Sequence, residues 1–208
     1  MDRPELKKKM KKLWWFIWED NSIWSWLVNI VLAFVLIKFL VYPGLGLLFG
    51  TGYPIVAVVS GSMEHDGSFN KWWNTQADWY TENGIAKDEF SDFSFKNGFN
   101  KGDIMILYGK KAANVNVGDV IVFKSARQNP RPDPIIHRVV KKWEKDGQTY
   151  YQTKGDHNPD SINGCSQNEC LFEGDIREDQ YLGNALVRIP FLGYIKIWFV
   201  ELLGLFVR

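Results

Sequence analysis

The amino-acid sequence predicts a mainly β protein that an apolar helix near the N-terminus anchors to a membrane. The helix is indicated by Ile23–Tyr42, a mainly apolar stretch in which Lys38 is the only charged residue. The β character is indicated by short β-branched segments beyond residue 50, which are separated by turns rich in Gly and Pro. A chain of 208 residues accommodates one domain of ordinary size together with such an anchor.

The composition excludes several classes of protein. The charge is nearly balanced, with 25 Lys and Arg residues against 24 Asp and Glu residues, whereas nucleic-acid-binding proteins usually carry a basic surplus. We therefore expect no nucleic-acid partner. The hydrophobic content of 46% is too high for a disordered chain. Two cysteines are too few for a disulfide-dense scaffold or for a zinc site with four thiolates.

Residues 1–22 form a basic and aromatic segment. Lysines and one arginine dominate its first half, and a cluster of tryptophans follows. Because basic residues next to a membrane span stay on the cytoplasmic side, we expect this segment to be cytoplasmic and the chain beyond residue 50 to be extracytoplasmic. The tryptophans fit an interfacial belt at the inner leaflet.

Residues 23–50 are predicted to be the transmembrane anchor. A helix over Ile23–Tyr42 rises about 30 Å, the thickness of the hydrocarbon core of a bilayer. The apolar stretch exceeds the roughly 7–15 residues of a signal-peptide core, and it lacks the polar stripe of a soluble helix. Lys38 lies near the far end, so its ammonium can reach the headgroups. We expect Pro43 and Gly44 to end the helix.

Residues 51–188 are predicted to form the extracytoplasmic domain. Residues 64–100 have no clear period and are interpreted as an irregular insertion, packed by aromatic side chains at positions 72, 73, 79, 90, 93 and 95. The predicted strands are Pro54–Ser60, Asp103–Leu107, Val120–Phe123, Ile135–Val140, Tyr150–Thr153 and Ala185–Ile189.

Residues 189–208 are apolar again and predict a C-terminal hydrophobic helix. Ile189–Val207 is short for a membrane span and carries Lys196 and Glu201. The sequence is therefore compatible with a second transmembrane helix and with an amphipathic helix that lies in the membrane interface.

Three short polar segments contain the candidate catalytic residues. Ser60 and Ser62 lie in the turn that follows the first predicted strand, and His137 lies within an otherwise β-branched strand. Asp156 and Asp160 lie in a polar loop that leaves the next strand. A serine becomes a nucleophile when a base removes its proton, and a carboxylate can hold that base in the required tautomer. Each segment alone also fits an ordinary turn or a structural histidine.

Four motifs in this order resemble the type I signal peptidases, specifically their archaeal and endoplasmic-reticulum branch. The resemblance covers most of residues 23–198 except the 64–100 insertion, and it implies a signal-peptidase-like β-rich catalytic domain. The motifs are Ser-Gly-Ser-Met at 60–63, Gly-Asp-Val-Ile-Val-Phe at 118–123, His-Arg-Val at 137–139 and Lys-Gly-Asp-His-Asn at 154–158.

The resemblance implies a role for each candidate residue. Ser62 resembles the nucleophile, and His137 occupies the position of the general base, which is a lysine in most bacterial relatives. Asp156 matches the acidic residue expected to orient His137, and Asp160 resembles a second acidic residue of the same loop. Which aspartate contacts the imidazole stays open. The Ser62 backbone N–H and the Ser60 hydroxyl are expected to form the oxyanion hole.

Two further histidines and two cysteines lie in the exported part. His65 is a rival base, disfavoured because it lies on the same short loop as the serine, and His157 is expected to be an exposed turn residue. The exported location favours a Cys165–Cys170 disulfide with little role in the chemistry.

The expected function is that of a membrane-anchored serine endopeptidase that cleaves signal peptides from exported preproteins, in the cell membrane. No cofactor is required. Preproteins and membrane lipid are the expected partners, and the protein-export channel is a further candidate. The alternatives are a catalytically silent, membrane-tethered binding protein and a self-processing peptidase of the related repressor-protease fold. The second is disfavoured because the chain lacks a separate DNA-binding half.

Overall fold

The chain folds as two units, which divide between Leu48 and Phe49. The computed structural model describes residues 3–166, 168–195, 197–198 and 202. The first unit is helical, and the second contains the β-sheet. The predicted C-terminal helix falls largely on residues outside this described part of the chain.

The first unit begins with helix α1 (Arg3–Trp18), which is followed by helix α2 (Ile23–Leu36). The Ser22 hydroxyl caps the start of α2 by accepting a hydrogen bond from the Ser25 backbone N–H. Two side chains of α2 bind carbonyl groups in the last turn of α1: the Ser25 hydroxyl donates to Phe16, and the Asn29 amide donates to Ile17. These contacts satisfy carbonyls that a helix end leaves without partners.

The expectation that Pro43 ends the apolar helix is wrong. Helix α2 continues through a π-helical turn at Ile37–Val41 into helix α3 (Tyr42–Phe49). The Tyr42 N–H bonds to the Ile37 carbonyl five residues back, and this wider turn directly precedes the proline. A proline, which has no N–H and crowds the turn before it, is accommodated where the regular ladder is already interrupted.

The resulting apolar helix spans Ile23–Phe49, 27 residues with a mean hydropathy of 2.2 over its most apolar part. At about 1.5 Å per residue, it is long enough to cross a bilayer. Within the described part of the chain, it is the one helix whose length and composition permit this.

The second unit is built on a seven-stranded antiparallel sheet, which confirms the mainly β prediction. The order of the strands is β1-β2-β9-β3-β4-β5-β8, so the last strand in sequence lies in the interior of the sheet. Strands β6 and β7 form a separate two-stranded hairpin. The strands are β1 (Ile55–Ala57), β2 (Ile104–Tyr108), β3 (Val120–Phe123), β4 (Ile135–Lys145), β5 (Gln148–Lys154), β6 (Asn163–Ser166), β7 (Glu169–Phe172), β8 (Ile176–Arg177) and β9 (Tyr181–Ile189).

Strand β3 separates two hydrophobic clusters because both of its faces are buried. Val120 and Val122 point into the cluster that contains Met63. Ile121 and Phe123 point into the cluster on the other side. Alternate residues of a strand face opposite sides, so a continuous apolar run is what a strand with two covered faces requires.

The 64–100 insertion contains two helices, which corrects the expectation of an irregular segment. They are α4 (Phe69–Glu82) and α5 (Lys87–Ser91). The insertion is packed by aromatic rings as expected: Trp72, Trp73 and Phe90 are buried together against β4. Phe69, Trp72, Trp73 and Tyr80 recur along α4 with the spacing of one helix face, so the helical period of α4 is present in the sequence.

Phe90 lies at the centre of this aromatic cluster and is fully buried. Its ring centroid is 4.9 Å from that of Tyr80, and the Arg138 guanidinium lies 4.7 Å from it. We predict that Phe90→Ala lowers the free energy of unfolding by about 3–5 kcal/mol, because the cavity would remain largely unfilled. Denaturant unfolding of the purified protein measures this. Leu186→Ala is the control, since Leu186 is 48% exposed; an equal loss in both variants would contradict the central role of Phe90.

Candidate active site

A serine, an imidazole and a carboxylate lie in a row in the second unit. The Ser62 hydroxyl oxygen is 2.8 Å from Nε2 of His137. The Nδ1 atom of His137 is 2.5 Å from a carboxylate oxygen of Glu173. His137 and Glu173 are buried, whereas the serine lines an open groove. This is the arrangement in which an imidazole can activate a serine.

The turn that contains Ser62 is held from two sides. The Ser62 carbonyl accepts a hydrogen bond of 2.8 Å from the His157 backbone N–H. The carbonyl of the next residue, Met63, accepts one of 3.0 Å from the Phe99 backbone N–H. The Met63 side chain is buried in a hydrophobic cluster. These contacts fix the serine relative to the sheet.

Glu173 follows strand β7, and its carboxylate is held by three donors. His137 and the Thr153 hydroxyl, at 2.9 Å, donate to one oxygen, and the Ile162 backbone N–H donates to the other at 2.8 Å. Because an ionised carboxylate only accepts hydrogen bonds, the proton of the neutral imidazole lies on Nδ1. Nε2 therefore presents its lone pair to the Ser62 hydroxyl.

The structure corrects the expectation that Asp156 or Asp160 contacts the imidazole. Asp156 is fully buried and binds Arg138, with oxygen-to-nitrogen distances of 2.9 and 2.7 Å. Arg138 follows His137 on strand β4, and successive residues of a strand point to opposite faces. The carboxylate that binds Arg138 therefore lies across the sheet from the imidazole. Asp160 is exposed and accepts a hydrogen bond from the Trp79 indole at 2.9 Å.

The same aspartate also holds His65 and Tyr80. Nε2 of His65 is 2.9 Å from Asp156, and the Tyr80 hydroxyl donates to it at 3.0 Å. Burial alone would raise the pKa of the Asp156 carboxyl, but the charge and hydrogen bonds of Arg138, together with the His65 hydrogen bond, hold that pKa well below its usual range. Asp156 therefore stays ionised as a structural anion.

The other two histidines take no part in the serine–imidazole pair. The side chain of His65, the rival base, is buried, and its ring stacks on Trp72 with a centroid distance of 3.7 Å. His157 is exposed, as expected, and lies 3.8 Å from the Asp66 carboxylate. His137 is thus the imidazole at hydrogen-bond distance from Ser62.

Lys154 is a buried lysine on the same side of the site as Asp156. Its amine donates to the Gln76 side chain at 3.0 Å and lies 4.8 Å from the centre of the Tyr80 ring. Burial lowers the pKa of Lys154 to about 8, although Asp156 acts in the opposite direction. The Lys154 amine therefore belongs with Tyr80 and Asp156 rather than with the Ser62–His137 pair.

Ser60 lies beside the candidate nucleophile. Its hydroxyl oxygen is 3.1 Å from that of Ser62. The Ser60 hydroxyl can therefore donate a hydrogen bond to negative charge on a carbonyl oxygen that Ser62 attacks. No group of three or more His, Cys, Asp or Glu side chains with metal-binding geometry occurs within the described residues. The chemistry that these side chains can perform is acyl transfer through a serine.

A groove of about 590 Å³ opens beside Ser62 and His137. A second cavity of about 320 Å³ adjoins it along strand β1, which forms one edge of the sheet. An edge strand offers unpaired backbone groups to an extended peptide. The groove is also lined by Ala57, Val59, Pro134, Ile136, Ile162, Glu169 and Leu171.

The two cysteines form a disulfide, as predicted. Cys165 and Cys170 are directly opposite each other in the β6–β7 hairpin. Glu173, which sequence reasoning missed, lies three residues beyond Cys170. The signal that could have revealed it is an acidic residue directly after the apolar pair Leu171–Phe172.

Comparison with known proteins identifies relatives along most of the chain. No protein-family model matches it. It is 36% identical over 104 residues to a signal peptidase complex catalytic subunit of Schizosaccharomyces pombe, a match that covers 46% of this chain and 47% of the relative. It is 26% identical to that of Neurospora crassa, covering 78% and 73%, and 28% identical to one from Homo sapiens, covering 76% and 63%. The chain thus spans about half of the first relative and between 63% and 73% of the other two. These homologues confirm the resemblance carried by the four motifs.

Gly155 lies where the candidate nucleophile and base meet. A Cβ atom on this residue would be 2.8 Å from the Ser62 carbonyl oxygen and 2.9 Å from Nε2 of His137. We predict that Gly155→Ala separates the pair and lowers peptide cleavage by about 100-fold, since small displacements of reacting groups are costly. The rate of cleavage of a model preprotein measures this. Gly164→Ala, where a Cβ meets nothing within 4 Å, is the control and should cleave normally; equal activity in both variants would contradict the prediction.

Proposed function

We propose that this homologue of signal peptidase catalytic subunits is a membrane-anchored serine endopeptidase that removes signal peptides from exported preproteins. One observation carries the proposal: the Ser62 hydroxyl lies 2.8 Å from an imidazole whose other nitrogen faces a buried carboxylate. Ser62 is the nucleophile, His137 is the general base, and Glu173 is the acid that orients the base. Asp156 and Asp160, which the sequence resemblance suggested for this last role, serve the surrounding structure.

The reaction follows from the positions of these groups. Nε2 of His137 accepts the Ser62 proton as the serine oxygen attacks the scissile carbonyl carbon. Glu173 stabilises the imidazolium that forms. The Ser62 backbone N–H and the Ser60 hydroxyl donate to the oxyanion of the tetrahedral intermediate. The imidazolium then protonates the leaving amine, and the same imidazole activates the water that hydrolyses the acyl-enzyme.

The groove beside Ser62 supports a preference for a narrow, extended substrate. The substrate backbone lies along edge strand β1, and its side chains alternate between the groove and solvent. Val59, Ile136 and Leu171 supply apolar walls. Small residues before the cleavage site, of the Ala-x-Ala type, suit this surface and are the pattern of signal-peptide cleavage sites.

The anchor and its flanking charges support a location in the cell membrane. Residues 1–22 face the cytoplasm, 23–50 cross the membrane, 51–188 form the extracytoplasmic catalytic domain and 189–208 contact the membrane. Preproteins are the substrates, and membrane lipid surrounds the anchor. The protein-export channel delivers preproteins to the same side, which makes it a candidate partner. A silent binding protein and a self-processing peptidase are not favoured by any of the contacts described above.

The catalytic assignment predicts which carboxylate matters for turnover. Ser62→Ala and His137→Ala each lower kcat by about 10⁴-fold or more, and their losses do not multiply in the double variant because the two residues act as a unit. Glu173→Gln lowers kcat by about 10⁴-fold, because the amide can donate to Nδ1 and favours the wrong tautomer. Cleavage of a model preprotein by purified protein in detergent or vesicles measures these rates.

Two further variants serve as controls for this experiment. Asp160→Asn cleaves normally, since its carboxylate is exposed and accepts hydrogen bonds from the Trp79 indole and the Ser161 N–H, whereas the imidazole binds Glu173. Asp156→Asn leaves the buried Arg138 without its counter-charge, and a loss of about 3–5 kcal/mol in stability is expected. Full activity of Glu173→Gln, or of His137→Ala, would refute the assignment.

The proposed orientation is tested by labelling single introduced cysteines with a membrane-impermeant maleimide. The native cysteines are joined in a disulfide and do not compete. Lys96→Cys, in an exposed position of the insertion, is labelled in intact cells, whereas Lys9→Cys, in α1, is labelled only after lysis. The opposite pattern would overturn the proposed location of the catalytic domain.

A further inference from the structure

The disulfide lies on the segment of chain that delivers Glu173 to the imidazole. Cys165 and Cys170 are directly opposite partners in the hairpin of β6 and β7, and Glu173 is the first residue after β7. The sequence alone suggested a disulfide with little role in the chemistry. Its location in the structure suggests a different one.

The pairing register of the hairpin determines one of the three donors to the Glu173 carboxylate. Ile162 and Glu173 are the residues that flank the open end of the hairpin, and the Glu173 N–H donates to the Ile162 carbonyl at 3.0 Å. In return, the Ile162 N–H donates to the Glu173 carboxylate at 2.8 Å. The Gly174 N–H donates to the Asn163 side chain at 2.8 Å. A shift of β6 by one residue would remove the Ile162 N–H from the carboxylate and turn every β6 side chain to the other face.

The two strands of the hairpin are anchored unequally. Strand β7 contacts the loop before β4, where the N–H groups of Cys170 and Phe172 donate to the carbonyls of Asn129 and Ser125 at 2.8 and 2.9 Å. Leu171 of the same strand is buried. Strand β6 reads Asn-Gly-Cys-Ser, is exposed at all four positions, and belongs to a two-stranded sheet. Polar strands that contain glycine specify their register weakly, and an isolated hairpin is marginally stable.

We propose that the Cys165–Cys170 disulfide is a positioning element for the catalytic acid: it fixes the register of β6 and so keeps the Ile162 N–H on the Glu173 carboxylate. The bond joins directly opposite residues, so it holds the pairing in which Ile162 lies beside Glu173. This inference rests on the proposed function of Glu173. Cys165 and Cys170 act through Glu173 and touch no reacting atom.

The consequence is that cleavage depends on the redox state of the hairpin. A dithiol reductant such as dithiothreitol transfers two electrons and two protons to the disulfide, which gives two cysteine thiols, and the reductant becomes a cyclic disulfide. No other bond changes. With the register released, the Glu173 carboxylate loses a donor and holds the His137 imidazole less firmly, so turnover falls while the groove beside Ser62 persists.

The experiment compares kcat and KM for cleavage of a model preprotein by oxidised protein, by dithiothreitol-treated protein and by a Cys165→Ser, Cys170→Ser double variant. We expect a 10- to 100-fold fall in kcat, with KM within about twofold, in both the treated protein and the double variant. Dithiothreitol should have no effect on the double variant. Ser166→Ala, which alters the same exposed strand without touching the disulfide, is the matched control and should retain its kcat.

A second comparison in the Glu173→Gln background tests the route of the effect. If the disulfide acts through the carboxylate, removing it from Glu173→Gln changes the residual kcat by less than about twofold. Thermal unfolding of each variant checks that it is folded. If the double variant does not fold, the reductant titration of the wild-type protein and of Glu173→Gln provides the same comparison.

The outcomes separate this inference from the proposed function. Absence of cleavage by oxidised wild-type protein, or full cleavage by Ser62→Ala, overturns the proposed function itself. If the wild-type protein cleaves normally and Ser62→Ala does not cleave, the proposed function is upheld. An unchanged kcat after loss of the disulfide then overturns the positioning role, as does an equal fall in the Glu173→Gln background. A change in KM alone also overturns it, because Glu169 and Leu171 of the hairpin line the groove.

Discussion

The buried pair of Arg138 and Asp156 is the interaction on which the rest of the second unit depends. The guanidinium donates to the carboxylate through two nitrogens, and it also binds the carbonyls of Ser94, Phe95 and Gly118. A buried charge is tolerated only when its hydrogen-bond partners are complete, and here each of the five N–H groups of the guanidinium has an acceptor. The pair thereby ties strand β4 to the insertion and to the loop that contains Asp156.

That pair also helps to determine where Ser62 and His137 lie. Arg138 follows His137, so fixing the guanidinium on one face of β4 fixes the imidazole on the other. The backbone next to Asp156 reaches the serine, since the His157 N–H binds the Ser62 carbonyl. The insertion completes this arrangement: the Trp72 indole donates to the Asp156 carbonyl, and the Tyr80 hydroxyl donates to its side chain. One face of β4 thus carries the structural pair of Arg138 and Asp156, and the other face carries His137 and its partners Ser62 and Glu173.

The sequence predicts the parts of this structure that depend on local pattern. The β-branched strands and the apolar helix follow from composition and length, and the Ser62–His137 pair follows from the resemblance that the four motifs carry. The contact between Glu173 and His137 cannot be predicted in this way. It depends on the alternation of side chains along β4 and on a hairpin that brings Glu173 from a distant segment. In the insertion, α4 is recognisable from the spacing of its aromatic residues, whereas α5, with five residues, is too short to show a period. The passage of the helix through Pro43 depends on a π turn that has no sequence signature of its own.

The strand order has a consequence for how the site assembles during biosynthesis. The strand before Ser62 pairs with β2, and the strand that carries His137 pairs with β3. In the sheet order, β9, which ends at Ile189, lies between β2 and β3. Within the described chain, the two halves of the sheet are therefore bridged by its final strand. A nascent chain that has emerged as far as Glu173 already contains every reacting side chain but not the strand that brings the two halves together. The strand order thus withholds the assembled serine–imidazole pair until β9 has been synthesised and has joined the two halves of the sheet.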